Sequence, residues 1–135
     1  LACPRDVEDA RHYLGDKVEV IEMPIDDSWT RDTGPNFLVN TKGELASSCR
    51  SLNAWGGNYE PYEQDALMGK RILELENLKM FSSDLVAEGG GITVNGEGTI
   101  ITTEPCFRHS NRNPGRTRHE IENELCRTLG AEKVI

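Results

Sequence analysis

Nine residues, FLVNTKGEL at 37–45, align without a gap on ITVNGEGTI at 92–100, an offset of 55 residues that matches Val39 to Val94, Asn40 to Asn95 and Gly43 to Gly98. Each segment is a pair of extended apolar runs around an Asn-x-x-Gly turn, where glycine supplies the positive φ the turn needs. Two β-hairpins are predicted. The segments after the hairpins repeat as well. YEQDALMGKRILELEN predicts a helix with Met68, Ile72 and Leu75 on its apolar face. RTRHEIENELCRTLG predicts another, in which Thr117 and Glu120 form a capping box, Ile121, Leu125 and Leu129 step by four, and Gly130 ends the helix. KMFSSDLV and Lys133 to Ile135 then read as short strands. A ββαβ unit leaves one apolar sheet face bare, and only a neighbouring unit covers it. The repeat therefore points to a pseudo-symmetric α/β array with about two ββαβ units present.

Ahead of the repeat, DVEDARHYLG places Val7, Ala10 and Leu14 at helical spacing between Asp6 as N-cap and Gly15 as stop. VEVIEM alternates, with Val18, Val20 and Glu22 on one side and Glu19, Ile21 and Met23 on the other, and predicts a strand. SLNAWGGNYEP is loop, and the second hairpin is expected to stay extended through TEPCF. Residues 1–135 form a single partial domain on this reading: 1–31 close a preceding unit, 32–87 are the first ββαβ unit, and 88–135 the second, truncated one. The chain opens on Leu and stops inside an apolar run, so an excerpt of a longer protein is expected.

Composition narrows the function classes. The 15 Lys plus Arg against 23 Asp plus Glu give a formal charge of -8, and the basic residues form no stripe with aromatics between them, so nucleic acid is not an expected partner. No apolar run approaches the roughly 20 residues of a membrane helix, and no signal-peptide pattern opens the chain. Cys3, Cys49, Cys106 and Cys126 are scattered without a Cys-x-x-Cys pair, which predicts reduced, mostly buried thiols in a cytoplasmic protein. Homo-oligomerisation is left open by these numbers.

The repeat also aligns carboxylates. Asp32 lies five residues before Phe37 and Glu88 four before Ile92, each beside a glycine turn, Thr33-Gly34-Pro35 or Gly89-Gly90-Gly91. Two acids brought together in a pocket repel unless a cation sits between them. A guanidinium suits that place, because it is planar, permanently charged and presents paired N–H donors. Trp29, three residues earlier, offers a π-face to such a cation or a wall against water. The competing structural reading pairs Asp32 with Arg31 or with a turn and buries Trp29 in the core. Asp26 and Asp27 stand open between contact with a substrate amine and turn capping.

The stretches DDSWTRDTGPNFLVN, NAWGG, EGGGITVNGEGTIITTEPC and NRNP, in that order, resemble the agmatine deiminase family, relatives of the Porphyromonas-type peptidylarginine deiminases. The resemblance implies the five-bladed α/β propeller of the guanidine-modifying superfamily, with Asp32 and Glu88 holding a substrate guanidinium beside Trp29. It also implies hydrolysis of agmatine to N-carbamoylputrescine and ammonia, on the route to putrescine, through an amidino-thioether on a cysteine. No metal or organic cofactor is implied. The family's nucleophile motif, Gly-Gly-Gly-Asn-x-His-Cys, and its acid/base motif, Gly-His-x-Asp, do not occur in these residues, and Thr93 and Asn95 stand where many members have His and Asp. Peptidyl-arginine is the alternative substrate, and a catalytically inactive guanidinium-binding fragment the alternative of another class.

Other motifs point less sharply. Cys106 and His109 could make a local thiolate–imidazole pair, against a buried structural Cys and an exposed His. The triple glycine lacks the Gly-Lys-Ser/Thr ending of a phosphate loop and is read as letting backbone approach a ligand or a neighbouring unit. Trp55 either lines the same pocket or packs beneath its loop, and packing is the expectation. His12 and His119 are expected in solvent.

Overall fold

The chain opens with helix α1 (Val7–Leu14), reached through a 3-10 turn at Pro4–Asp6 and left at Gly15 with φ +57°. Asp6 precedes it, but its side chain makes no capping hydrogen bond. The computed structural model describes residues 1–135 and departs from expectation at VEVIEM, where no strand forms. A single parallel bridge joins Ala2 to Glu22, with Ala2 N–H donating to Ile21 O at 3.0 Å and Met23 N–H to Ala2 O at 2.9 Å. The alternation is present, but one residue is its entire partner strand, and a strand needs a ladder to satisfy its backbone. Met23 is buried and Val18 exposed, so only one side of the segment meets the core. A one-turn helix α2 (Thr30–Thr33) follows.

The first unit runs β1 (Asn36–Val39), β2 (Leu45–Ser51), the short turn α3 (Ala54–Gly57), α4 (Glu63–Leu75) and β3 (Lys79–Val86). A 3-10 turn at Gly89–Gly91 leads into the second: β4 (Thr93–Val94), β5 (Thr99–Ile101), α5 (Glu104–Arg108), α6 (Arg118–Leu129) and β6 (Lys133–Val134). Each unit is a three-stranded sheet, ordered β1-β2-β3 and β4-β5-β6, with the first two strands antiparallel and the third parallel to the second across a helical crossover. The 55-residue offset survives at the level of register: Val39 faces Leu45, and Val94 faces Ile100. It survives in the turns too. Asn40 Oδ1 accepts from the N–H groups of Lys42 and Glu44, and Asn95 Oδ1 accepts from those of Glu97 and Thr99. The aligned asparagines therefore do the same work, an Asx turn that presets each hairpin.

Two element details differ from the sequence reading. On α4 the buried face is Asp65, Met68, Gly69 and Leu73: Met68 is buried as predicted and Ile72 half-buried, while Leu75 is exposed at the helix end. Residues 104–108 coil into α5 instead of extending, with Pro105 in the first turn, where its missing N–H costs nothing. The predicted features of α6 are present: Thr117 Oγ1 accepts from Glu120 N, Glu120 Oε2 accepts from Thr117 N at 2.7 Å, and Gly130 closes the helix at φ +67°. Leu85 and Ala87 from the first unit and Ile100, Phe107, Ile121 and Leu125 from the second form one core cluster. The core thus straddles the junction between units, which fixes the end of β3 against α5 and α6. No helix is long and apolar enough to cross a membrane.

Candidate functional site

The acidic stretch before β1 divides by role. Asp26 Oδ2 accepts from Gln64 N at 2.8 Å and so caps the first turn of α4 from 38 residues away. Asp65, buried in that same turn, returns the contact by accepting from the backbone N–H groups of Asp26 (2.8 Å) and Asp27. Asp27 accepts from Ser28 N and, at 2.9 Å, from the indole Nε1 of Trp29. Both aspartates therefore act in structure: Asp26 caps, and Asp27 aims the tryptophan.

Asp32 makes no ion pair with Arg31. Its Oδ1 accepts from Gly90 N at 2.8 Å, across the seam between the two units. That seam is why Gly89 and Gly90 are needed. A Cβ at Gly89 would collide with the carbonyl oxygen of Arg31, and one at Gly90 would lie 2.6 Å from Asp32 Oδ1. The glycines let the segment leading into the second hairpin lie directly on the one leading into the first, so the segments bearing Asp32 and Glu88 are brought together. Asp32 is half-buried and Glu88 buried. With Oδ1 engaged, Asp32 retains Oδ2 for another donor.

Glu88 has a cationic neighbour that the sequence reading missed. Arg112 Nε lies 2.9 Å from Glu88 Oε1, with the two side chains only 11% and 7% exposed. The N–H does not point at the oxygen, and neither sealed atom has a hydrogen bond. Arg112 belongs to the NRNP motif, whose other members also grip fixed points. Asn113 clasps β3 through Val86 N and Val86 O, both at 2.9 Å. Asn111 O accepts from Asn53 Nδ2 at 2.7 Å.

Trp29 is 47% exposed, contrary to a core role, and stands edge-to-face on Trp55 with ring centroids 5.7 Å apart; Tyr59 continues the row at 5.4 Å. Trp55 is half-buried and packs within this aromatic row. Ala54 and Trp55 adopt φ of 50° and 56°, the left-handed region that non-glycine residues rarely occupy and that clusters at functional loops. Asn53 holds this turn by accepting from Gly56 N at 2.9 Å.

The remaining nucleophile and metal candidates do not assemble. Cys106 Sγ accepts from Thr103 Oγ1 at 3.2 Å while His109 Nδ1 lies 2.6 Å from Asn111 Oδ1, so each has its own partner. All four cysteines are half-buried, less sealed than expected. Beside Asp32 a cavity of 180 Å³ is lined in part by Cys49, Arg50, Lys70 and Ser83. Burial pushes the Cys49 thiol's pKa up, which keeps it neutral and a poor nucleophile. Burial pulls the Arg50 guanidinium down to about 10; it donates to Asn36 Oδ1 and Ser48 Oγ. No group of three His, Cys, Asp or Glu side chains is placed to hold a metal. His12 and His119 are exposed. What these residues can do chemically is hold and orient a cation at the seam between two acid-bearing segments, next to an aromatic wall.

Comparison with known proteins gives this geometry a context. The family model described as Porphyromonas-type peptidyl-arginine deiminase matches residues 1–135. A Legionella pneumophila protein provisionally named an agmatine deiminase is 43% identical over 136 residues, covering 100% of this chain and 39% of that protein. Among solved structures, the agmatine deiminase of Enterococcus faecalis superposes with a TM-score of 0.92 at 38% identity, covering 98% of this chain and 38% of that one. A substrate-bound cysteine-to-serine variant of C. jejuni agmatine deiminase gives a TM-score of 0.79 at 27% identity, over 95% of this chain and 39% of that one. The chain thus spans about two-fifths of the length of the relatives it matches. With the family model covering it from end to end, the chain belongs to the Porphyromonas-type peptidyl-arginine deiminase family.

Proposed function

We propose that these residues are the guanidinium-holding part of an agmatine deiminase, a carbon–nitrogen hydrolase. The observation that carries this is the seam: two segments leading into hairpins, one with Asp32 and one with Glu88, pressed together by glycines and oriented by Gly90 N–H and Arg112. A guanidinium between the two carboxylates would donate to Asp32 Oδ2 on one side and to Glu88 on the other, which fixes its plane. A cysteine thiolate contributed from outside these residues then attacks the central carbon; ammonia leaves with a proton from an imidazole; water cleaves the amidino-thioether to the ureido product and frees the thiol. For agmatine the product is N-carbamoylputrescine, which would place the enzyme on a route to putrescine. The exposed face of Trp29 walls the site toward the substrate's alkyl chain.

The repeat supports a larger architecture. Two ββαβ units related by a 55-residue offset, with hairpins in identical register, fit two blades of a five-bladed propeller in which 1–31 closes the preceding blade, 32–87 is one blade and 88–135 the next. A cytoplasmic enzyme, with self-association left open, is the setting we propose. The experiment is product formation by the full-length protein from agmatine, free arginine and an arginine peptide, assayed in parallel for ureido product and ammonia. Preference for agmatine supports the reading; preference for the peptide moves the activity to peptidyl-arginine, and no product from any of them leaves only a guanidinium-binding role.

A further inference from the structure

We propose that Arg112 is a positioning residue for the guanidinium site, holding the Glu88 carboxylate and tying it through Asn111 to the Trp55 turn; this rests on the reading of Glu88 as a substrate-holding residue. The motif Asn111-Arg112-Asn113 touches three separate pieces of the seam. Asn113 fastens the end of β3 two residues before Glu88. Arg112 fastens Glu88 itself. Asn111 accepts from Arg112 Nη1 at 2.9 Å through its side chain and from Asn53 Nδ2 through its backbone, and Asn53 in turn holds Gly56 N. Gly56 is where the turn and the motif meet: a Cβ there would collide with the Asn111 amide and lie 2.8 Å from Arg112 Nη1. One continuous chain of contacts therefore runs from Glu88 to the turn that carries Trp55.

The pair is a poor device for stability alone. Two charges taken out of water at this exposure are offset only by good geometry, and the N–H of Arg112 is not aimed at Oε1. What the contact does supply is a fixed positive charge on one side of the carboxylate. A glutamate side chain has three rotatable bonds, and a guanidinium substrate must meet its carboxylate in one plane. The guanidinium 2.9 Å from Oε1 draws that oxygen to one side by charge and leaves Oε2 for the substrate. Arg112 also brings a second positive charge near the substrate's cation, so it does not favour ground-state binding. Its contribution belongs in the orientation of the reacting carbon, which is read in kcat more than in KM.

The test uses the full-length enzyme with agmatine and a double-mutant cycle of Arg112→Met, Glu88→Gln and the pair, together with Arg112→Lys and Tm for each variant. Arg112→Met is expected to lower kcat about 100-fold, the scale of an ångström-level misplacement, with KM shifted far less. Arg112→Lys, which keeps the charge, recovers part of that loss. In the Glu88→Gln background, adding Arg112→Met costs little more, because the group it positions is already altered. Losses that multiply across the two sites, or a folded Arg112→Met enzyme with wild-type kcat, would overturn the proposal. So would variants coupled in Tm but independent in kcat. A wild-type protein without agmatine turnover refutes the deiminase reading first and this inference with it; an active wild type with multiplicative losses refutes this inference alone.

Discussion

Replacing Gly90 by Ala isolates the seam as the device that places Asp32. Gly90 does not occupy the positive-φ region, so alanine meets no backbone strain there, and the whole effect comes from the added methyl. That methyl would lie 2.6 Å from Asp32 Oδ1, against 3.4 Å for an ordinary contact, so the carboxylate or the glycine turn must yield by about 0.8 Å. At about 100-fold in rate per ångström of misplacement, kcat/KM for agmatine in the full-length enzyme is expected to fall roughly 40-fold. The stability loss is of similar size: the lost charge-assisted hydrogen bond costs about 1.5–3 kcal/mol, and the reduced freedom of the unfolded chain returns about 0.4–1 kcal/mol. Steady-state ammonia release and thermal melting of the same preparation separate the two effects. A Gly90→Ala enzyme with wild-type kcat/KM would refute the claim that close approach of the two hairpin-leading segments sets Asp32's position.

Two further perturbations test the scaffold. Arg127 hydrogen-bonds the Glu124 carboxylate and holds its pKa down to about 2, against 4.5 ordinarily. A folded-state pKa below the unfolded value stabilises the protein above that unfolded value, and the contribution disappears as pH falls through the folded one. Between about pH 4.5 and 2 the Tm of wild type should therefore drop more steeply than that of Glu124→Gln, and parallel curves would count against the pairing. Thr117→Ala removes the capping box of α6, a helix whose Ile121 and Leu125 complete the core between the units. Loss of about 1 kcal/mol by urea unfolding is expected, with no change in KM; an unchanged midpoint would show that the cap is dispensable.

The fold was legible wherever its cause was local. Asn40 and Asn95 each set a turn from within four residues, and Thr117 with Glu120 wrote the start of α6 in a single turn. Legibility failed where the deciding partner was far away in sequence. VEVIEM has a strand's alternation, yet whether it becomes one depends on a neighbouring ladder, and Ala2 alone supplies it. Asp26 caps α4 across 38 residues, and nothing in its own neighbourhood indicates that. At the site, the acid–glycine pattern pointed to Asp32 and Glu88 because it recurs with the repeat. The NRNP motif stood out as a motif but not as three anchors, since its targets are Asn53, Glu88 and Val86. Proline at the third position of TEPCF was the available signal for α5, because proline is favoured in a helix's first turn.

The central claim is that Asp32 and Glu88 jointly hold a guanidinium, and the measurement that meets it most directly is kcat/KM for agmatine with Asp32→Ala and Glu88→Ala in the full-length protein, at substrate concentrations below KM. On that claim each carboxylate would contribute charge-assisted hydrogen bonds of about 1.5–3 kcal/mol, equivalent to roughly 10- to 200-fold. A loss in that range or beyond is predicted for each variant, with both proteins remaining folded. Wild-type turnover in either variant would contradict the claim.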